Sequence, residues 1–172
     1  ERSNFSQEAI QKLSDHIRFF LGIPYRVKVS IGIESSDYML AGGDQIKQAN
    51  TVGLYKVRGL YDREIQLTKK YRFEFKHILA ILVHESTHNY LNYYGIREGG
   101  EIQNEILTDV AAAYLGMGYQ LLEGYKPIIW YTDHLRSNKE SRYTQHKIEI
   151  GYITPYNIEY AILKSAVLRK TE

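Results

Sequence analysis

Residues 84–88 read His84-Glu85-Ser86-Thr87-His88, two imidazoles four positions apart with a carboxylate beside the first. In an α-helix, positions four apart lie about 40° apart around the axis. Both rings therefore face one side and can share one cation. Glu85 sits one position along and can reach a water on that cation without ligating it. This is the mechanical content of the H-E-x-x-H pattern, two ligands and a general base on one helix. Phe73, Phe75, Ile78, Leu79, Ile81, Leu82 and Val83 lead into it. They make the predicted helix, about 72–94, apolar nearly all round at its centre and therefore buried. A polar trio inside such a helix is costly unless something satisfies it, and a metal ion does so.

The chain has no cysteine. Disulfides and thiolate ligands are excluded, so a metal must be held by His, Asp or Glu. A catalytic zinc ion takes three protein ligands and keeps one position open. The next predicted helix, about 101–115, offers Glu101, Glu105 and Asp109, one turn apart. If the two helices pack as an antiparallel pair about a loop centred near Arg97, equal distances from that centre face each other. His88 lies nine positions before Arg97 and Glu105 eight after it; His84 lies thirteen before and Asp109 twelve after. Glu105 thus falls beside the imidazole pair and is the expected third ligand. Asp109 falls beside His84, where it takes the free ring N–H and fixes the tautomer. Glu101 lies nearer the loop and Glu98 within it, and both are weaker candidates.

Other elements must position these residues. Ser6 is a plausible N-cap for a helix over 6–21, with Ile10, Leu13, Ile17, Phe20 and Leu21 inward and Gly22 and Pro24 as its stop. Val27, Val29, Ile31 and Ile33 alternate as in a strand with one buried face. Residues 34–50 read as loop. Further strands are expected over 51–60 and 62–69, with Ile65 and Leu67 on one face. The strand at 63–68 is either a sheet edge beside the cleft, where an extended peptide could pair, or an ordinary core strand. Gly95 stops the long helix. Ala111-Ala112-Ala113 lets the second helix pack closely, and Gly116 and Gly118 end it. Residues 124–150 carry no clear period. Thr154-Pro155 caps a last helix to about Leu168, with Ile158, Ile162 and Ala166 inward. No repeat or linker divides the chain, so one domain is expected over 1–172.

The pairing of HESTH at 84–88 with NEILTD at 104–109 resembles the gluzincin (thermolysin-like) metallopeptidases. These carry H-E-x-x-H on one helix and N-E-x-x-S/T-D on the next. The match covers about 78–118, and within it His84, Glu85, His88, Glu105 and Asp109 agree one by one. The remainder does not match, and in size the chain is nearer to small, minimal bacterial zinc-peptidase domains. The resemblance implies an α+β, zincin-like core. A small mixed sheet packs against an active-site helix and a second ligand-bearing helix, with further N- and C-terminal helices. It also implies Zn2+ as cofactor, a peptide or protein substrate, and metal-assisted hydrolysis. Zinc acidifies a water and polarises the scissile carbonyl, while Glu85 takes the water's proton and passes it to the leaving amine. The class usually adds a His or Tyr that stabilises the oxyanion. His134, His146, Tyr143, Tyr152 and Tyr156 are candidates, and no motif chooses among them.

Two other readings stay open. One is a catalytically silent zinc-binding interaction domain of a larger protein; the other is a metal-dependent hydrolase of a non-peptide amide. Glu85 argues for catalysis, because a structural site needs no base. A formal net charge of +2 gives no electrostatic case for nucleic acid or membrane, and no apolar run approaches a membrane span. The sixteen tyrosines are an excess suited to a core boundary or a half-wet cleft. The chain opens on Glu1-Arg2-Ser3, not a signal peptide, as in a processed chain or an excised domain; a cytoplasmic location is expected. His77 is read as a boundary residue, Gly99-Gly100 as a tight turn, His16 as surface, and Lys164, Arg169 and Lys170 as a solvated face. Oligomeric state is not legible.

Overall fold

A computed structural model of the chain describes residues 5–33, 53–57, 62–69, 73–126, 128–135, 141–148 and 150–170, with backbone alone in the two strands between 128 and 148. The expected loop at 34–50 lies outside these residues. The first helix, α1 (Gln7–Phe20), starts at Ser6, whose hydroxyl accepts from the Ala9 N–H at 3.1 Å. Ile10, Ile17 and Leu21 are buried as their spacing requires. Phe20 is 63% exposed instead of inward, because Leu21 completes the buried stripe.

Three strands, β1 (Lys28–Ile33), β2 (Gly53–Val57) and β3 (Arg63–Lys69), form one sheet in the order β1-β3-β2. β1 runs parallel to β3, and β2 antiparallel to it. Val29 lies opposite Ile65 and Ile31 opposite Leu67, so the alternating apolar residues share a face. β3 is thus the middle strand, paired on both sides, and the edge reading of 63–68 fails. Parallel pairing needs a long crossover, and a strand's own pattern does not encode which distant partner it will meet. Among the described strands, β2 is the edge strand that packs on the helix carrying His84 and His88.

The long helix α2 (Phe75–Tyr93) is the centre of the fold and touches α1, β2, β3 and the helices that follow. Its buried residues run continuously from Ala80 to Thr87, as expected of a helix apolar on every side. Phe75, in the first turn, is exposed. His77 is not a boundary residue: it is 2% exposed and accepts the Glu74 N–H on Nδ1 at 2.9 Å, so it closes the helix start. Burial pushes its pKa down, and the neighbouring Lys76 charge adds to this.

After the turn at 95–100 comes α3 (Glu101–Ala112). Gly116 is non-helical and stops this helix as its type predicts, within a kinked segment (Ala113–Met117); a further helix, α4 (Gly118–Gly124), begins beyond it. Gly116 supplies the kink with φ 94, a conformation in which a Cβ is strained. α4 then lies so close to α2 that a Cβ on Gly124 would stand 2.2 Å from that of Ala80.

The stretch without a sequence pattern holds a hairpin of β4 (Ile128–Leu135) and β5 (Ser141–Ile148), antiparallel, with Trp130 opposite His146. The last helix, α5 (Pro155–Leu168), is capped by Thr154, whose hydroxyl accepts from the Asn157 N–H at 3.3 Å. Ile158, Ala161 and Ser165 face inward at helical spacing, and Ile162 is partly buried. Ala166 is exposed, one position off that stripe. The architecture is α+β, a small mixed sheet with helices. Among the described residues no helix is long and apolar enough to cross a membrane.

Candidate metal centre

α2 and α3 meet as the loop symmetry requires. His84 Nε2 and His88 Nε2 lie 3.1 Å apart, and each lies 3.0 Å from Glu105 Oε2. Asn104 sets this register. Its amide donates to the Glu98 and Gly100 carbonyls at 3.0 and 2.9 Å, and its oxygen accepts the Glu98 N–H at 2.8 Å. The loop is thereby stapled to the first turn of α3, and Glu105 follows directly.

The outer nitrogens of both rings are also engaged. His84 Nδ1 lies 2.8 Å from Asp109 Oδ1. That carboxylate also accepts the Tyr125 hydroxyl at 2.6 Å and, on Oδ2, the Tyr152 N–H at 3.1 Å. An ionised carboxylate only accepts, so His84 carries its hydrogen on Nδ1. His88 Nδ1 lies 3.1 Å from Thr108 Oγ1, whose single hydrogen goes to the Asn104 carbonyl at 2.8 Å. Thr108 therefore accepts from His88 Nδ1–H. Both neutral rings then turn bare Nε2 lone pairs toward each other and toward a carboxylate oxygen.

Three lone-pair donors about 3 Å apart repel one another unless a cation lies between them. Two imidazoles and a carboxylate are also the donor types that suit a divalent transition metal. His84, His88 and Glu105 could therefore hold a metal ion, their ligand atoms all within 4.8 Å of one another. Without a metal, a proton serves the same end. Burial disfavours charge on His84, yet hydrogen bonds that the ring donates to Asp109 and Glu105 outweigh it and raise the pKa. Burial likewise opposes the Glu105 carboxylate, but the two imidazoles carry it down to about 2. A metal entering this site must displace the proton. At pH 7.5, well below the raised His84 value, zinc titrated into metal-free protein is expected to release about one proton. Calorimetry in two buffers of different ionisation enthalpy reads this directly; equal heats in both would contradict it.

Glu85 stands apart from the three ligands. It is 6% exposed, and it lines a cleft of about 530 Å³ that the ligands also line. Burial pushes its pKa up, against the opposing pull of His84 and His88. Glu101 lines the same cleft but lies outside the ligand cluster, and Glu98 stays in the loop. Of the oxyanion candidates, Tyr152 lines the cleft, its ring stacked on His84 at 5.7 Å and 20°. Tyr156 is 75% exposed and away from it. The side chains of His134, Tyr143 and His146 lie outside the described residues.

Four contributors were not singled out from the sequence. Tyr125 reaches Asp109 because α4 follows the kinked segment and packs on α2. Gly151, at φ 95, clears its ring, since a Cβ there would meet Tyr125 Cε2 at 1.9 Å. Gly53 and Tyr55 bring β2 to the cleft wall. Only the tyrosine excess hinted at the first and last, without saying which residues. No protein-family model matches the chain, no curated protein matches it, and no solved structure matches it, so the residues and their geometry alone carry the functional argument.

Proposed function

We propose that the chain is a zinc-dependent metallopeptidase of gluzincin type on a zincin-like core, hydrolysing peptide bonds with Glu85 as general base. One observation carries this reading. Among the described residues, a buried carboxylate lines the cleft beside a set of three candidate ligands and takes no part in that set. A purely structural site holds four protein ligands and has no use for a base, whereas a catalytic one holds three. Two imidazoles and one carboxylate, with no thiolate available, favour zinc in its hydrolytic role. The chemistry zinc supplies there is Lewis acidity, which acidifies water and polarises a carbonyl.

The chain's own residues do the rest. His84, His88 and Glu105 hold the ion, with Asp109 and Thr108 fixing the ring tautomers. Glu85 takes the proton of the attacking water and delivers it to the amine nitrogen as the peptide bond breaks. Tyr152, stacked on His84 and lining the cleft, is assigned to stabilise the developing oxyanion. Tyr152→Phe is expected to lower kcat by roughly 10²-fold, the scale for losing one such donor, with KM little changed. Steady-state kinetics check this, and an unaltered kcat would remove Tyr152 from the role.

The experiment for the whole reading is a digest of a peptide library by zinc-loaded protein, read by mass spectrometry, with Glu85→Gln in parallel. New termini are expected with the wild type and not with the variant. If both proteins bind one zinc and neither cleaves, the chain is a zinc-binding domain without peptidase activity.

A further inference from the structure

Glu85 is surrounded on its outer side by β2. Gly53 is the first residue of that strand, and a Cβ built on it lies 2.5 Å from Glu85 Oε1 and 2.4 Å from Ile81 Cγ2. The carboxylate thus occupies the space that any side chain at position 53 would take. Two residues on, Tyr55 lines the same cleft wall as Glu85. The Tyr55 hydroxyl donates to Asn89 Oδ1 at 2.7 Å. Asn89 is one helical turn beyond Glu85 on α2, so β2 meets two successive turns, Gly53 against Glu85 and the Tyr55 hydroxyl on Asn89.

Arg63 on the middle strand secures the grip. Its Nη1 donates to the Tyr55 hydroxyl and to Asn89 Oδ1, each at 3.0 Å. Asn89 Oδ1 also accepts the Tyr25 hydroxyl at 3.0 Å. Rim strand, middle strand and helix are therefore tied at one polar knot, next to the base. A glutamate on a helix is free to change rotamer, and fixing such a side chain costs conformational entropy. Something outside the helix has to hold it.

We propose that Gly53 and Tyr55 are positioning residues for Glu85, so that β2, and not α2 alone, sets where the carboxylate stands. The inference rests on the assignment of Glu85 as general base, but its test does not depend on that assignment. Crystal structures of zinc-loaded wild type and Gly53→Ala are compared, and kcat, KM and zinc content are measured for both. Gly53→Ala is expected to bind one zinc and keep KM within about twofold. Its carboxylate should shift by about 1 Å, and kcat should fall by about 10²-fold, as a misplacement of that size produces.

Ile81→Leu separates the two contacts, because leucine lacks the Cγ2 branch. In that background Gly53→Ala still meets the carboxylate, so the loss in kcat is expected to persist. Tyr55→Phe keeps the ring, loses the hydroxyl bond to Asn89 and is expected to lower kcat about tenfold at unchanged KM. It also tests the proposal if Gly53→Ala does not fold. Rescue by Ile81→Leu, a carboxylate unmoved in Gly53→Ala, or wild-type kcat in Tyr55→Phe would overturn the proposal. A wild type that cleaves no peptide overturns the peptidase reading instead, while the carboxylate's position still decides this one.

Discussion

Glu85→Gln is expected to bind one zinc with unchanged affinity and to lose about 10²–10⁴-fold in kcat, the span attributed to a positioned general base. The substitution is nearly isosteric. Its side-chain length still fits the space beside Gly53. The ligand atoms of His84, His88 and Glu105 are untouched, so the fold and the metal should survive. What disappears is the ability to take a proton. KM should therefore change little, because the lost interaction belongs to the transition state and not to substrate binding. Kinetics on a peptide identified from the library, with zinc content measured on the same preparation, give both quantities. A variant within about threefold of wild type would show that no proton passes through Glu85.

The second large effect concerns Glu105. Glu105→Ala is expected to weaken zinc binding by more than the roughly 10–100-fold that follows loss of an outer hydrogen-bond partner, because a ligand itself is removed. Its Oε2 lies 3.0 Å from both imidazole nitrogens, and no other carboxylate of α3 joins the cluster. Glu101→Ala is the control. Glu101 lines the cleft outside the cluster, so its loss should leave zinc affinity unchanged. Thermal stability reports the same contrast. A ligand at 100 times its Kd stabilises the folded state by about 2.7 kcal/mol, so zinc should raise Tm for wild type and Glu101→Ala and not for Glu105→Ala. Equal zinc affinities for Glu105→Ala and wild type, measured by competition with a chelating dye, would displace Glu105 as third ligand.

The parts of this site that could be read from sequence share one property. They lie on two helices joined by a short turn, where helical geometry and loop length fix the partners. His84, His88, Glu105 and Asp109 all fall within 26 consecutive residues, 84 to 109, and their register follows from counting. Asn104 and Thr108 fit the same logic, although their hydrogen bonds become visible only in the structure. The rest depends on distant segments. β3 looked equally suited to an edge or a centre, because its own alternation is the same in both places. Parallel pairing with β1 decided it. Gly53 then became important through what approaches it, and a glycine at a strand start carries no such signal. Tyr125 lies beyond Gly116, which does stop the helix, at the end of a further short helix, α4, that no pattern announced.

His77 and Ala166 show the limit of periodicity in the other direction. His77 looked like a boundary residue because imidazole is polar, yet its nitrogen meets the unpaired N–H at the helix start and can be fully buried. Ala166 fitted an apolar stripe by type, but Ile158, Ala161 and Ser165 define the inward line. In each case local geometry or packing settled a question that the residue type left open.

The most direct test of the central claim is a titration of chelator-stripped protein with zinc, following cleavage of one library-derived peptide. Activity should be absent at the start, rise in proportion to added zinc, and level off at one equivalent per chain. Full activity in the stripped protein, or no cleavage once one equivalent is bound, would contradict the account.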